Sequence, residues 1–224
     1  YAAEVRSAIS QTLLLRFVPE EALGGLYEAL LEAGLALPEA HTLLDITRCP
    51  GADTCNLAIT RSRGLAQALE AHLSALPLAQ DPGAKAIGVK ISGCPNSCGQ
   101  HHIADIGFYG SSRKVGEREV PHYVLLLGGR TREGEARFGQ VVGRIPARRV
   151  PEAVERILKR YLEERQNGES FQAYLDRVGA ASFKPLLQDL QEVPPYEEAP
   201  EFYQDLGAEG EAFSVQLGRG ECAV

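Results

Sequence analysis

Two pairs of cysteines constrain this chain more than any other feature of its sequence. Five residues separate Cys49 from Cys55, three separate Cys94 from Cys98, and thirty-eight lie between the two pairs. Glycine and proline bend the backbone beside the sulfurs, so each pair belongs to a turn at the edge of a predicted strand. The flanking residues are Pro50, Gly51, Gly93, Pro95 and Gly99. The fold therefore has to present two cysteine-bearing turns next to strands.

The paired thiols favour metal chemistry, because a chain without an export signal seldom carries a disulfide framework. Iron–sulfur clusters are commonly held by four cysteine thiolates, and turns rich in Gly, Pro and Asn supply backbone amides to the sulfur atoms. We therefore expect the four thiolates to hold an iron–sulfur cluster. Two alternatives stay open. One is a structural zinc ion, although paired zinc ligands usually have about two to four intervening residues; the other is four buried thiols without a ligand.

The charge distribution and the apolar runs exclude two classes of partner. The formal net charge of −7 arises at the end of the chain, where residues 165–224 hold 11 acidic and 4 basic side chains. The remainder is balanced, which argues against a nucleic-acid-binding protein. No apolar run approaches the length of about 18 residues that spans a bilayer, and the N-terminus has no signal-peptide pattern. We expect a cytoplasmic protein with no membrane and no nucleic-acid partner.

Hydrophobic periodicity predicts an α+β fold, with a mixed sheet and flanking helices. The predicted strands are 4–18, 41–47, 86–91, 103–109, 123–127 and 141–145. The predicted helices are 19–33, 55–76, 151–165, 170–178 and 183–190. The second of these helices is expected to begin at Cys55, with Asp53 or Thr54 as its N-cap.

The residues around the cysteines resemble a known family signature. The segments TRCPGADTC at 47–55, followed by NLA, and SGCPNSCG at 92–99, followed by IADIG, are similar to the sirohaem-binding signature of the sulfite and nitrite reductase family. The gap lengths agree as well. The resemblance implies a [4Fe–4S] cluster on four ligands, Cys49, Cys55, Cys94 and Cys98. It also implies that the Cys98 thiolate is shared with the sirohaem iron, and that Asn96 packs against the cluster.

The same resemblance implies an assimilatory sulfite or nitrite reductase, which performs a six-electron reduction of sulfite to sulfide or of nitrite to ammonia. Ferredoxin or a flavoprotein would be the electron donor. Gln100 is more similar to the nitrite enzymes, whereas His101-His102 and residues 169–179 are more similar to the sulfite enzymes, so the substrate stays open. The alternative function is an electron-transfer module that holds a [4Fe–4S] cluster without sirohaem.

The carboxylates of sirohaem require cationic partners and helix N-termini. The candidates for binding the cofactor are Gln100 and the cationic residues Arg48, Arg61, Arg63, Lys90, Arg113, Lys114, Arg130 and Arg132. His101 or His102 either hydrogen-bonds a propionate or lines a loop. Arg6 and Gln11 lie in a segment similar to the family's strand near the cofactor, and Cys222 is expected to be incidental.

The family has a duplicated architecture, and this chain resembles its second half. The resemblance assigns residues 1–40 to part of a ferredoxin-like domain, 41–168 to the sirohaem and [4Fe–4S]-binding domain, and 169–224 to a helical and acidic C-terminal extension. In the family, the residues that bind the substrate anion come largely from the first half, so the catalytic residues stay unassigned. We expect a fragment that requires the N-terminal half of the same enzyme; a small single-repeat sulfite reductase is the alternative.

Overall fold

The computed structural model describes residues 1–131 and 134–215, so Arg132 and Cys222 lie outside the described residues. The strands are β1 (Glu4–Ser7), β2 (Leu13–Arg16), β3 (Thr47–Arg48), β4 (Val89–Ser92), β5 (Ile106–Val115), β6 (Arg118–Leu127) and β7 (Gln140–Pro146). The helices are α1 (Leu23–Glu32), α2 (Ser62–Ser74), α3 (Pro82–Lys85), α4 (Val150–Glu164) and α5 (Phe171–Val178). None of the helices in the described ranges combines the length and the apolar content that crossing a bilayer requires.

A five-stranded mixed sheet forms the centre of the fold, in the order β3-β4-β5-β6-β7. Strands β3, β4 and β5 run parallel, whereas β5, β6 and β7 are antiparallel neighbours. The predicted α+β fold with a mixed sheet is therefore confirmed. Because β3 and β4 are parallel and Arg48 is paired with Ile91, the carboxyl ends of both strands meet at one edge. Cys49 follows β3 directly, and Cys94 follows β4 after Gly93, so the topology brings the two cysteine pairs together.

The sheet is backed by two amphipathic helices, α2 and α4, which pack against each other and against the strands. Leu65, Leu69 and Leu73 follow one another at one-turn spacing in α2, and all three are fully buried. Ile157 and Tyr161 do the same in α4. A period of about 3.6 residues places such side chains on one face of a helix. The sheet edge that carries the cysteines is thus anchored by a packed core.

The helix predicted to begin at Cys55 begins later. Helix α2 starts at Ser62, and its N-cap is Arg61 instead of Asp53 or Thr54. The backbone N–H groups of residues 59 and 60 donate to the carbonyl oxygen of Gly93 across the sheet edge. These groups are therefore engaged in a loop-to-loop contact and do not form helical hydrogen bonds.

The strand predicted at 41–47 is also wrong, except for its last residue in β3. Turns occupy the residues before β3, because the Asp45 carboxylate accepts the His41 N–H at 2.8 Å and the Thr42 hydroxyl donates to the Glu39 carbonyl at 2.6 Å. Such local side-chain bonds to the backbone compete with strand pairing.

Two further predictions need correction. Residues 4–18 form an antiparallel hairpin of β1 and β2 instead of one strand, and Gln11 in its turn has a φ of 63°. Residues 180–191 form three short 3₁₀ segments instead of one helix. Pro185 lies within this stretch, and proline removes a helical donor.

Candidate functional site

Two loops at the carboxyl edge of the sheet carry the four paired cysteines. We name residues 49–61 the first cysteine loop and residues 93–100 the second cysteine loop. The carbonyl oxygen of Gly93 accepts the N–H of Ile59 at 2.8 Å and that of Thr60 at 3.0 Å, while Ala52 N–H donates to Thr60 O at 3.0 Å. Backbone hydrogen bonds thus fix the two loops to each other, independently of any side chain.

Glycine is required where the loops touch. A Cβ atom on Gly93 would lie 2.6 Å from Thr60 O and 2.9 Å from the Cα atom of Gly51. Gly51 itself has a φ of 64°, a left-handed conformation that glycine adopts without steric cost. The glycines beside the cysteines therefore allow the two backbones to approach closely.

The sulfur atoms of the two buried cysteines accept backbone hydrogen bonds. Cys49 Sγ accepts the Gly93 N–H at 3.1 Å and contacts Ser62 Oγ at 3.5 Å. Ser62 Oγ also donates to the Cys49 carbonyl oxygen at 2.6 Å, and the Asn96 N–H donates to Cys94. Hydrogen bonds to ligand sulfurs are typical of iron–sulfur sites, where they tune the reduction potential. This is the environment that a thiolate ligand needs.

The four cysteines differ in exposure but interact electrostatically. Cys49 and Cys94 are buried, Cys55 is half-buried and Cys98 is exposed, and all four are free thiols. Burial raises the pKa of Cys94; the Asn96 N–H opposes this, and the negative charges of Cys49, Cys98 and Cys55 raise the pKa further. Four thiolates that lie close enough to shift the pKa of Cys94 would repel one another. A cationic centre is therefore needed to hold all four deprotonated.

The donor set fits an iron–sulfur cluster. Within residues 1–131 and 134–215, no three His, Cys, Asp or Glu side chains are placed to hold a single metal ion. A cube of four irons takes one thiolate per iron, so its ligands surround a larger body than one ion. Four cysteines on two adjoining loops, with N–H donors aimed at the sulfurs, meet that requirement.

Lys90 and Gln100, two residues predicted to bind the cofactor, lie together beside the second cysteine loop. Lys90 Nζ donates to Gln100 Oε1 at 3.0 Å. Burial lowers the pKa of Lys90, and the charge of Asp45 partly offsets this. Gln100 has a φ of 62°, so the chain turns sharply there. The pair presents one cation and one amide next to Cys98.

His101 is buried behind the second cysteine loop. Its Nδ1 hydrogen-bonds Ser92 Oγ at 2.8 Å, and its Nε2 is buried without a hydrogen-bond partner among the described residues. Burial, and to a smaller extent the charge of His102, lowers the pKa of His101 to about 4. Its ring also lies 4.9 Å from that of Tyr109. His101 therefore supports the loop as a neutral side chain.

Gln11 and Arg48 are also brought together, next to Cys49. Gln11 Nε2 donates to the Arg48 carbonyl at 2.6 Å, and its Oε1 accepts the Arg48 N–H at 3.0 Å. The Arg48 guanidinium donates to Ile46 O at 3.0 Å and lies 3.5 Å from Glu70. The hairpin of β1 and β2 is thereby attached to the strand that precedes the first cysteine loop. Arg6 is exposed and pairs with Glu4.

The remaining cationic candidates fall into two groups. Arg61 and Arg130 are engaged by protein carboxylates, Arg61 by Asp53 and Glu211 and Arg130 by Asp176. Arg63, Arg113 and Lys114 are exposed, and none of them forms an ion pair with another described residue. These three exposed side chains therefore remain available to bind an anionic ligand.

Sequence reasoning missed three polar residues at this edge of the sheet: Ser62, Ser92 and Asp205. Ser62 and Ser92 are fully buried and bond Cys49 and His101. A serine close to a cysteine loop is a weak signal, because serine is equally common in ordinary turns. Asp205 bonds Arg61, which is 144 residues away in the chain, so only the folded structure could reveal it.

The model of the nitrite and sulphite reductase 4Fe-4S domain matches residues 39–193. Sulfite reductase (ferredoxin) 1 of Mycolicibacterium paratuberculosis is 29% identical over 172 residues, which cover 75% of this chain and 31% of that protein. Ferredoxin–nitrite reductase of Synechococcus elongatus is 30% identical over 131 residues, which cover 57% of this chain and 24% of that protein.

A solved structure shows the same fold. The NirA protein of Mycobacterium tuberculosis matches with a TM-score of 0.66 and 26% identity, over 78% of this chain and 32% of that chain. The chain thus spans between 24% and 32% of the length of these three proteins.

Proposed function

The chain belongs to the nitrite and sulphite reductase family through its 4Fe-4S domain, and we propose that it is the cofactor-binding part of a sulfite or nitrite reductase. In this role it holds a [4Fe–4S] cluster and sirohaem. The enzyme reduces sulfite to sulfide or nitrite to ammonia, with ferredoxin or a flavoprotein as the electron donor. One relative is named a sulfite reductase and another a nitrite reductase, and both names include ferredoxin. These names therefore leave the choice between sulfite and nitrite open.

Cys49, Cys55, Cys94 and Cys98 bind the cluster in this proposal. The observation that carries it is the junction of the two cysteine loops, where Gly93 donates its N–H to Cys49 Sγ at 3.1 Å and accepts two N–H groups of the first loop through its carbonyl. This junction fixes the two cysteine loops to each other. The cluster and sirohaem supply the redox chemistry when bound, and the protein supplies position and electrostatics.

Cys98 is the ligand that we propose to be shared with the sirohaem iron. It is the exposed member of the four, whereas Cys49 and Cys94 are buried. A thiolate that bonds the cluster on one side and a second iron on the other needs an open face, and Cys98 has one. Asn96 lies in the same loop, also exposed, and is proposed to pack against the cluster.

Cationic side chains around this open face are proposed to bind the sirohaem carboxylates. Gln100 follows Cys98 by two residues and binds the Lys90 ammonium, and Arg48 directly precedes Cys49. Arg63 is exposed in the first turn of α2, where the helix dipole also favours an anion. Arg61 is a weaker candidate, because its guanidinium already contacts Asp53 and Glu211.

The N-terminal half of a longer reductase is the proposed partner for the β1-β2 hairpin and α1. Large apolar side chains are exposed on this part of the chain, including Leu13 at 64% and Phe17 at 67%. The chain spans about a third of the length of the NirA protein. In the proposal, the anion-binding residues and the rest of the cofactor enclosure come from that other half.

Anaerobic reconstitution with iron, sulfide and sirohaem tests the proposal. We expect about four irons and four acid-labile sulfides per chain, with a sirohaem absorption band that shifts when the cluster is reduced. Cys98→Ser should abolish the sirohaem band and reduce the iron content, whereas the control Cys222→Ser should change neither. A Cys98→Ser protein with a normal sirohaem band would refute the shared ligand. A cluster without sirohaem in the unmodified chain, also after the N-terminal half of a related reductase is added, would favour the electron-transfer module.

A further inference from the structure

The N-terminus of α2 is capped by a residue from the far end of the chain. The N-cap residue, Arg61, makes no side-chain capping bond. Instead, Asp205 Oδ2 accepts the Arg61 backbone N–H at 2.6 Å, while its Oδ1 accepts the Leu206 N–H at 2.9 Å. Only 5% of Asp205 is exposed. An aspartate at this position satisfies a free backbone donor and complements the helix dipole.

The Arg61 side chain joins the same segment to the first cysteine loop. Its Nη1 donates to Gly207 O at 3.0 Å and lies 3.6 Å from Asp53 Oδ1, while its Nη2 lies 3.4 Å from Glu211 Oε2. Asp53 belongs to the loop between Cys49 and Cys55. One guanidinium therefore bridges the cysteine loop and residues 207–211.

The C-terminal segment is packed tightly against α2. A Cβ atom on Gly64 would lie 1.9 Å from the carbonyl oxygen of Leu206, and the Leu206 side chain is buried. Further on, the Val215 N–H donates to Glu119 Oε2 at 2.9 Å on β6. A cavity of about 330 Å³ remains between the segment and the loop. Cys55 and Asn56 line one side of it, and Glu211 and Phe213 line the other.

This segment lies outside the matched family domain, which ends at residue 193. We propose that Arg61 and Asp205 are positioning residues, through which the segment 200–215 holds the first cysteine loop in place over the iron–sulfur cluster. The inference rests on the proposed function, since it needs the cluster on Cys49, Cys55, Cys94 and Cys98. Neither residue bonds the cluster itself.

Loss of the bonds made by Arg61 and Asp205 should affect the part of the site around Cys55. Cys55 is half-buried, and the segment covers the loop around it. If the bonds to Arg61 and Asp205 are lost, the loop opens more often and the cluster meets water and chelators. Exposure to water also stabilises the more negatively charged, reduced cluster, so the reduction potential should rise.

The test compares cluster loss in variants of the reconstituted 224-residue chain at pH 7.5. The variants are Arg61→Ala, Arg61→Lys, Asp205→Ala and Asp205→Asn. Iron transfer to a ferrous chelator is followed under anaerobic conditions, at a temperature well below the unfolding midpoint of each protein. We expect release about tenfold faster for Arg61→Ala and Asp205→Ala, which corresponds to about 1.4 kcal/mol of loop opening. Asp205→Asn keeps an acceptor oxygen and should restore most of the protection.

Arg160→Ala is the matched control. Like Arg61, Arg160 donates to a backbone carbonyl, of Ser182, and pairs with a carboxylate, of Glu164, although Arg61 pairs with two carboxylates. It lies on α4, so its loss should lower the unfolding midpoint without changing the iron release rate or the reduction potential. Arg61→Lys keeps the charge but replaces the two guanidinium nitrogens that bind Gly207 and Glu211 with a single ammonium nitrogen. It serves as the second variant if Arg61→Ala does not fold, and its release rate should be intermediate.

The outcomes separate the two proposals. Assembly of a cluster in the unmodified chain, with equal release rates in both Arg61 variants and in the unmodified chain, overturns the positioning role alone. Failure of the unmodified chain to assemble any cluster, also after the N-terminal half of a related reductase is added, overturns both. Faster release together with a higher reduction potential in Arg61→Ala and Asp205→Ala, and neither change in Arg160→Ala, supports the positioning role.

Discussion

His101 illustrates how the surroundings of one side chain set its charge near the site. The ring is fully buried, and its only hydrogen bond among the described residues is the one between Nδ1 and Ser92 Oγ. Because a protonated imidazole would lose its hydration, burial lowers the pKa of His101 from 6.5 to about 4. A neutral His101 therefore belongs to the folded state at neutral pH.

This pKa shift predicts a loss of stability in weak acid. Below pH 6.5 the unfolded chain protonates His101, whereas the folded chain resists protonation until about pH 4. The unfolded state then binds more protons, so the free energy of unfolding falls as the pH falls through this window. We expect His101→Asn, which keeps a hydrogen-bonding group near Ser92, to remove about 1–3 kcal/mol of this fall between pH 7 and pH 4.

Urea denaturation of the unmodified chain and of His101→Asn at several pH values measures the effect. The comparison is necessary because other groups titrate in the same range: burial lowers the pKa of His122, and it raises the pKa of Asp205 to about 6. The raised pKa of Asp205 acts in the opposite direction, stabilising the folded state as the pH falls. If the free energy of unfolding changed with pH in the same way in both proteins, the result would contradict a buried, neutral His101.

Among the individual elements, the sequence predicted the bounds of a helix most accurately where its hydrophobic periodicity extends over several turns. Helix α4 matches its predicted range to within one residue at each end, because its apolar face and the proline near its start are unambiguous. The start of α2 was wrong because the residues after Cys55 bond to Gly93 instead of to their own helix. Hydrophobic periodicity predicts which face of a helix is buried, but it does not predict hydrogen bonds between two loops.

Gly64 tests the packing of α2 against the C-terminal segment. In an isolated helix, Gly→Ala is favourable by about 1 kcal/mol. A Cβ atom at Gly64, however, would lie 1.9 Å from the Leu206 carbonyl oxygen, a backbone atom that cannot turn away. We expect the clash to dominate, so that Gly64→Ala lowers the free energy of unfolding by about 1–3 kcal/mol.

Gly24→Ala in α1 is the control, since a Cβ atom there would meet nothing within 4 Å. It should leave the free energy of unfolding unchanged or raise it by up to about 1 kcal/mol. Urea unfolding curves of the two variants and of the unmodified chain measure these changes in the free energy of unfolding. Equal or greater stability in Gly64→Ala would show that the segment does not cross α2 as closely as the structure indicates.

At the scale of the whole molecule, the sequence predicted the two cysteine turns beside strands better than it predicted their surroundings. The spacing of the cysteines and their glycines identified two loops that meet, and parallel β3 and β4 explain why they do. The role of Asp205 escaped prediction, because its partner Arg61 is 144 residues distant. Likewise, the hairpin at residues 4–16 has an apolar, exposed surface that no local pattern distinguishes from a core strand.

That surface leads to the last prediction. Ile9, Leu13, Leu14 and Phe17 are between 53% and 81% exposed, and so many exposed apolar side chains on one hairpin are typical of an interaction site. If the other half of a reductase normally covers the hairpin, the 224-residue chain alone should bind a hydrophobic dye and self-associate. We expect Leu13→Ser with Phe17→Ser to lower both the dye fluorescence and the fraction of oligomer on size-exclusion chromatography.

Phe138→Ser is the matched control, because Phe138 is 71% exposed but precedes β7, away from the hairpin in sequence. It should change the dye signal less than the hairpin variant does. Adding the N-terminal half of a related reductase as a separate polypeptide should lower the signal of the unmodified chain, since the covered apolar area no longer contacts water. An equal dye response in the hairpin variant and in Phe138→Ser would indicate scattered surface residues instead of one docking surface, and would remove the physical reason for assigning the hairpin to a larger enzyme.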